Sequence, residues 1–172
     1  MGQQLKMFKT FDKNSLNSLN SIFGEKNIVG FNNSDLVGIK YDFNENKLKN
    51  VMQKIPFSLT QQLIITSQHF TKIIENIGSK GFRPNFKLNM EIPDEELSLL
   101  NEYIFKISKP YINKETYKEL IFDEFNRLEE EYDAELESVS FTFNNERIVF
   151  RNNGIVFADE NLFDVAGELL SN

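Results

Sequence analysis

Asp42, Glu45 and Lys47 come nearest, by residue type and spacing, to a catalytic set in this chain. Two carboxylates can hold a magnesium ion while a lysine supports the attacking water, which is the chemistry of a metal-dependent nuclease or phosphodiesterase. Their placement works against it. Asp42 closes a run of strand character, whereas Glu45 and Lys47 fall where a helix is expected to begin, so the groups do not project from one strand face. The single histidine, His69, stands beside Phe70 in a predicted helix, with no acid or nucleophile spaced to complete a triad, and reads as a surface or core-edge residue. With one histidine and no cysteine, thiolate zinc sites, cysteine nucleophiles and disulfide frameworks are excluded. A bound metal would have to be a hard ion on carboxylates. Gly78-Ser79-Lys80-Gly81 has the residue types of a phosphate loop but lacks its spacing and a following helix, and reads as a helix C-cap. No EF-hand spacing occurs. No catalytic residue, metal or cofactor is assigned.

Charge placement is more informative than any motif. Residues 1–90 carry 12 basic and 6 acidic side chains, residues 91–137 carry 5 and 15, and residues 138–172 carry 2 and 5. Charge runs on amphipathic helices often serve only solubility. The sharper reading takes Glu129, Glu130, Glu131, Asp133 and Glu135, with Glu137 beyond them, as a negative patch that steers a basic partner or imitates a nucleic-acid backbone. In the first half, Lys6, Lys9, Lys13, Lys26, Lys40, Lys47, Lys49 and Lys54 raise the question of direct nucleic-acid binding. The chain has only four arginines, Arg83, Arg127, Arg147 and Arg151, and a net charge of -7, both of which argue against it.

These candidates must be positioned by elements that periodicity outlines. Leu5, Met7, Lys9 and Phe11 suggest a short amphipathic strand, followed by a helix over Ser15 to Phe23 with Leu16, Leu19 and Phe23 on one face. Asn27 to Phe31 and Leu36 to Phe43 read as a hairpin, with Asn32-Asn33-Ser34 as turn and Val37, Ile39, Tyr41 and Phe43 on one side. A helix over Glu45 to Ile55 is stopped by Pro56. Ser58 with Gln61 is a capping-box pattern, and Leu59, Leu63, Phe70, Ile73, Ile74 and Ile77 extend a long helix to Gly78 and Gly81, although Leu63 to Thr66 has strand propensity. Phe86, Leu88, Met90 and Ile92 alternate as a half-buried strand, begun at an edge by Pro84.

Pro93 and Asp94 open a helix to Ile107 with Leu97, Leu100, Ile104 and Ile107 inward, and Asn113 caps the next, striped by Tyr117, Ile121, Phe125, Leu128 and Tyr132. Three strands, about 138–143, 146–151 and 155–158, form a meander turned at Asn144-Asn145 and at Asn153-Gly154, the latter a type I′ pair. A last helix covers Glu160 to Leu170. Strands and helices are grouped instead of alternating, so the expected class is α+β: one domain over residues 1–172, with antiparallel sheet packed against about six helices.

Composition completes the picture. Apolar residues are 40% of the chain, which with seventeen Phe is enough for a packed core, so the chain is not disordered. No apolar segment reaches membrane-spanning length, and Met1 to Phe11 lacks the pattern of an export signal, so a cytoplasmic protein with no membrane partner is expected. Met1-Gly2 opens like a myristoylation site, but Lys6 stands where Ser or Thr is needed. Abundant Asn, Lys, Ile and Phe suggest AT-rich coding, as in a low-GC bacterium or its phages. The expectation is therefore a small acidic inhibitor, of immunity or anti-defence type, that blocks a basic surface of a protein partner. An accessory subunit using an apolar surface or the sheet edge near Phe82 to Ile92 is the alternative, ahead of the magnesium nuclease.

Overall fold

The computed structural model describes residues 2–32 and 34–171. In chain order the elements are β1 (Gln3–Thr10), α1 (Ser15–Phe23), β2 (Ile28–Gly30), β3 (Leu36–Tyr41), α2 (Leu48–Lys54), β4 (Thr60–Gln62), α3 (Ser67–Ser79), β5 (Asn85–Leu88), α4 (Ser98–Lys106), α5 (Lys114–Tyr132), β6 (Leu136–Phe143), β7 (Glu146–Arg151), β8 (Ile155–Ala158) and α6 (Phe163–Ser171). The fold is α+β and the strands pair antiparallel. The chain divides into two compact units, one built from the residues up to Ile64 together with Asn153–Ser171, the other from Ile65–Asn152.

In the discontinuous unit, β1 is the central strand and is buried on both faces through Leu5, Lys6, Met7 and Phe8. One of its edges pairs with β3, which carries β2 on its far side. The other edge is shared: β8 takes Gln3 to Lys6 and β4 takes Phe8 to Thr10. At the change of partner, the Met7 N–H donates to the Gly154 carbonyl at 2.9 Å and the Met7 carbonyl accepts from the Leu63 N–H at 3.2 Å. Gly154 has φ +76°, and a Cβ there would lie 2.0 Å from the Leu63 carbonyl oxygen, so this junction requires glycine. Phe8, Val37 and Ile39 share one face, as their register demands, and pack with Leu19 and Phe23 of α1 and with Val51 and Ile55 at α2. In α6, Phe163, Ala166, Leu169 and Leu170 are buried.

In the continuous unit, β5, β6 and β7 pair in that order, with β5 at an edge. Asn144 and Asn145, at φ +49° and +65°, form the expected two-residue turn of the β6–β7 hairpin. Three helices supply the other side of the core: Phe70, Ile73, Ile74 and Ile77 of α3, Leu100 and Ile104 of α4, and Ile121, Phe125 and Leu128 of α5. Asn113 caps α5 by accepting the Thr116 N–H, as expected. Gly78 is required for close packing, since a Cβ there would stand 2.6 Å from the Ile107 carbonyl oxygen. The ends of this unit meet: the Ile65 N–H donates to the Asn152 carbonyl at 2.9 Å.

Several expectations are corrected. No helix starts at Ser58. Residues Thr60–Gln62 are strand, and α3 begins only at Ser67, with Thr66 as its cap. Pairing with Phe8 to Thr10 of β1 outweighs the local helical spacing there. Gly78 lies inside α3 and Gly81, at φ +84°, beyond its end. The strand expected to run to Ile92 ends at Leu88 after an irregularity at Lys87/Leu88, and Met90 is exposed. Residues Asp94–Leu97 and Glu160–Leu162 are 3-10 turns that lead into α4 and α6. At Asn153-Gly154 only the glycine has positive φ, so this pair is not a type I′ turn. Phe11 and Phe43 lie outside their strands and are exposed. Asn33, part of the expected turn, and Met1 lie outside the described residues.

Candidate functional site

Folding redistributes the charge segments. The discontinuous unit combines the lysine-rich first 64 residues with the acidic C-terminal stretch, giving eight basic and nine acidic side chains. Lys40 pairs with Glu160 at 3.2 Å across that combination. Lys6 is buried, its Nζ donating to the Asn153 carbonyl oxygen, so it presents no charge to a ligand. By contrast, residues 65–152 carry 11 basic and 17 acidic side chains, a surplus of six negative charges.

That surplus is concentrated where α5 runs into β6. Glu129, Glu130 and Glu131 occupy the end of α5, Asp133 follows at φ +56° in a left-handed C-cap, and Glu135 precedes β6. All five side chains are exposed. The Asp133 N–H closes the helix onto the Glu129 carbonyl at 2.9 Å, and the Ala134 N–H reaches the Leu128 carbonyl at 3.3 Å. Carboxylates at this position oppose the negative end of the helix dipole, and no basic residue lies in the last turn to offset them.

Arg127 answers only part of this charge. It holds Glu124 at 3.1 Å, Glu131 at 2.9 Å and Glu96 at 3.3 Å, and donates to the Glu96 carbonyl at 2.7 Å. The bond to Glu124 leads the effects that raise the guanidinium pKa above its ordinary value. Glu129, Glu130, Asp133 and Glu135 form no ion pair among the described residues. Of the five expected patch residues, Glu131 is thus tied to its neighbour and four are uncompensated.

Sequence reasoning missed what adjoins the patch. The Asn89 N–H donates to the Glu135 carbonyl at 2.9 Å, and Asn89 Oδ1 accepts the Glu135 N–H at 3.0 Å. These two hydrogen bonds join the acidic connection to the residue that follows the edge strand β5. Along that edge lies a groove of about 570 Å³, lined among others by Lys87, Asn89, Met90, Glu91, Asp94 and Glu137. The signal available beforehand was the acidic run just after the strand, Glu91 and Asp94 to Glu96, whereas Met90 was expected within the half-buried strand.

Comparison with protein-family models, curated proteins and solved structures finds no match. The reading therefore rests on geometry alone.

Other candidates fare differently. Asp42 is committed to its own loop: Oδ1 accepts the N–H groups of Asn44, Glu45 and Asn46 at 2.7, 2.7 and 3.2 Å, which lowers the carboxyl pKa. Glu45 and Lys47 lie on that loop and not on a strand face. No group of three or more His, Asp or Glu side chains able to hold a metal ion occurs among the described residues. Beside this loop is a groove of about 430 Å³ that includes Gln3, Tyr41 and Phe43, where Gln3 Oε1 is buried without a hydrogen-bond partner. His69 sits half-buried in the first turn of α3, its backbone N–H on Thr66 Oγ1. No described helix is long and apolar enough to cross a membrane.

Proposed function

We propose that the chain is a protein-binding inhibitor, of bacterial or phage origin and of immunity or anti-defence type, whose acidic unit covers a basic surface of a partner protein. The observation that carries this reading is the set of exposed, uncompensated carboxylates at Glu129, Glu130, Asp133 and Glu135, placed where they oppose the α5 dipole. Such a placement costs local stability, which solubility alone does not require. A field of one sign accelerates encounter with a basic partner and repels nucleic acid.

The test is affinity capture at two salt concentrations, with and without nuclease, comparing the native chain with Glu129→Lys/Glu130→Lys/Glu135→Lys. A stoichiometric protein that survives nuclease, is released by salt and is lost from the triple variant is expected. Retention unchanged by the triple variant rules out the acidic mechanism. A second reading, an accessory subunit that associates through apolar surface, is favoured by Phe11 and Phe57, exposed at 63% and 62% in the discontinuous unit. Complex formation insensitive to salt would select it.

A further inference from the structure

The acidic reading leaves open what form of partner the surface accepts, and the edge of β5 answers that. β5 pairs with β6 on one side only, and no hydrogen bond among the described residues reaches its outer side. No other described strand pairs on that side, so the outer backbone N–H and C=O groups of β5 are left for a partner strand. The groove beside this edge has an apolar floor and an acidic rim. Leu88 and Ile92 are buried at 8% and 9% exposure and Leu97 is half-buried, while Met90 stands 45% exposed above them. On the rim, Glu137 is paired with Lys87 at 3.1 Å, but Glu91 and Asp94 have no ion pair among the described residues.

We propose that this edge and groove bind an extended, lysine- or arginine-bearing segment of a partner protein by strand addition, with alternate side chains of the segment directed to the apolar floor and to the carboxylates. The proposal rests on the protein-binding reading and names the partner's conformation and chemistry. Unpaired strand groups call for an extended backbone, which a helix or a nucleic acid does not offer. The short strand and the irregularity at Lys87/Leu88 limit the register to about four residues. The Asn89–Glu135 bonds extend the β5–β6 pairing by one residue on the inner side of β5, so the end of the strand that the segment would extend is held in place.

The test uses three end-blocked octapeptides, alternating Lys-Val, alternating Glu-Val and all-Lys, titrated into isotopically labelled protein at low and physiological salt with amide shifts and hydrogen exchange as readouts. Expected is binding of Lys-Val with slowed exchange confined to residues 85–90, no response to Glu-Val, and at least tenfold weaker binding by Glu91→Lys/Asp94→Lys. Because both substituted positions are exposed, the unperturbed amides of that variant report that it remains folded. Shifts from Lys-Val or all-Lys restricted to residues 129–135 overturn strand addition and leave the acidic reading standing. Failure of both lysine peptides to bind at low salt overturns strand addition, while the acidic reading is decided separately by capture with the triple variant.

Discussion

Lys6 is the buried cation of β1, sharing the apolar face of Phe8 and Ile39 while donating to the Asn153 carbonyl. Desolvation lowers its pKa from the ordinary lysine value of 10.5. Between the lowered folded value and 10.5 the unfolded chain binds more protons than the folded one, so stability rises with pH across that window and the penalty is full below it. Denaturant titrations at pH 7 and pH 10 are expected to show this rise. Lys6→Met should flatten it and be no less stable at pH 7. Gly154→Ala should destabilise by about 2–4 kcal/mol in the same measurement, because it adds strain at φ +76° to a clash with Leu63. Neither position was legible beforehand. Alternation tells a one-faced strand from a helix, but β1 is covered on both faces, and only the long-range junction with Leu63 distinguishes Gly154 from an ordinary hairpin glycine.

Helix ends decide two further outcomes. Thr66 Oγ1 accepts the His69 N–H at the start of α3, so Thr66→Ala should cost about 1 kcal/mol. Ser58→Ala, at the capping box that the sequence suggested, should change stability by less than about 0.5 kcal/mol, and thermal melts of the pair separate the two starts. At the other end of α5, Glu130→Lys should raise the unfolding midpoint at low salt, with most of the gain disappearing at high salt. The same substitution should weaken partner binding under the proposed function, so stability and affinity move in opposite directions. Much at this scale was readable: α1, α2, α5, the β2–β3 hairpin and the β6–β7 turn all follow local signals of periodicity, proline, caps and turn residues. What was not readable, the β4 strand and the early end of β5, depends on pairing with distant residues. The acidic patch was visible as composition, while its groove required the Asn89–Glu135 pairing that only folding creates.

For the molecule as a whole, the charge pattern along the chain differs from the charge pattern of the folded units. The first 64 residues, with eight basic and five acidic side chains, and the last 19 described, with four acidic ones, share one unit and nearly cancel, leaving residues 65–152 with the surplus. A fragment of residues 65–152 has three helices, three paired strands and its own buried residues. It is expected to unfold cooperatively in isolation and to gain stability with salt as its net negative charge is screened. A broad, non-cooperative melt would show instead that it needs the remainder of the chain. No linker composition marks the division, because a unit assembled from two stretches changes over within Leu63 to Ile65 and within Asn152 to Gly154, where neighbouring hydrogen bonds continue on both sides. The Ile65–Asn152 hydrogen bond adds a consequence of another kind. A segment whose first and last residues touch needs only one turn of a host chain to accept it, so residues 65–152 are expected to be graftable as one insertion without stretching the host's own turn.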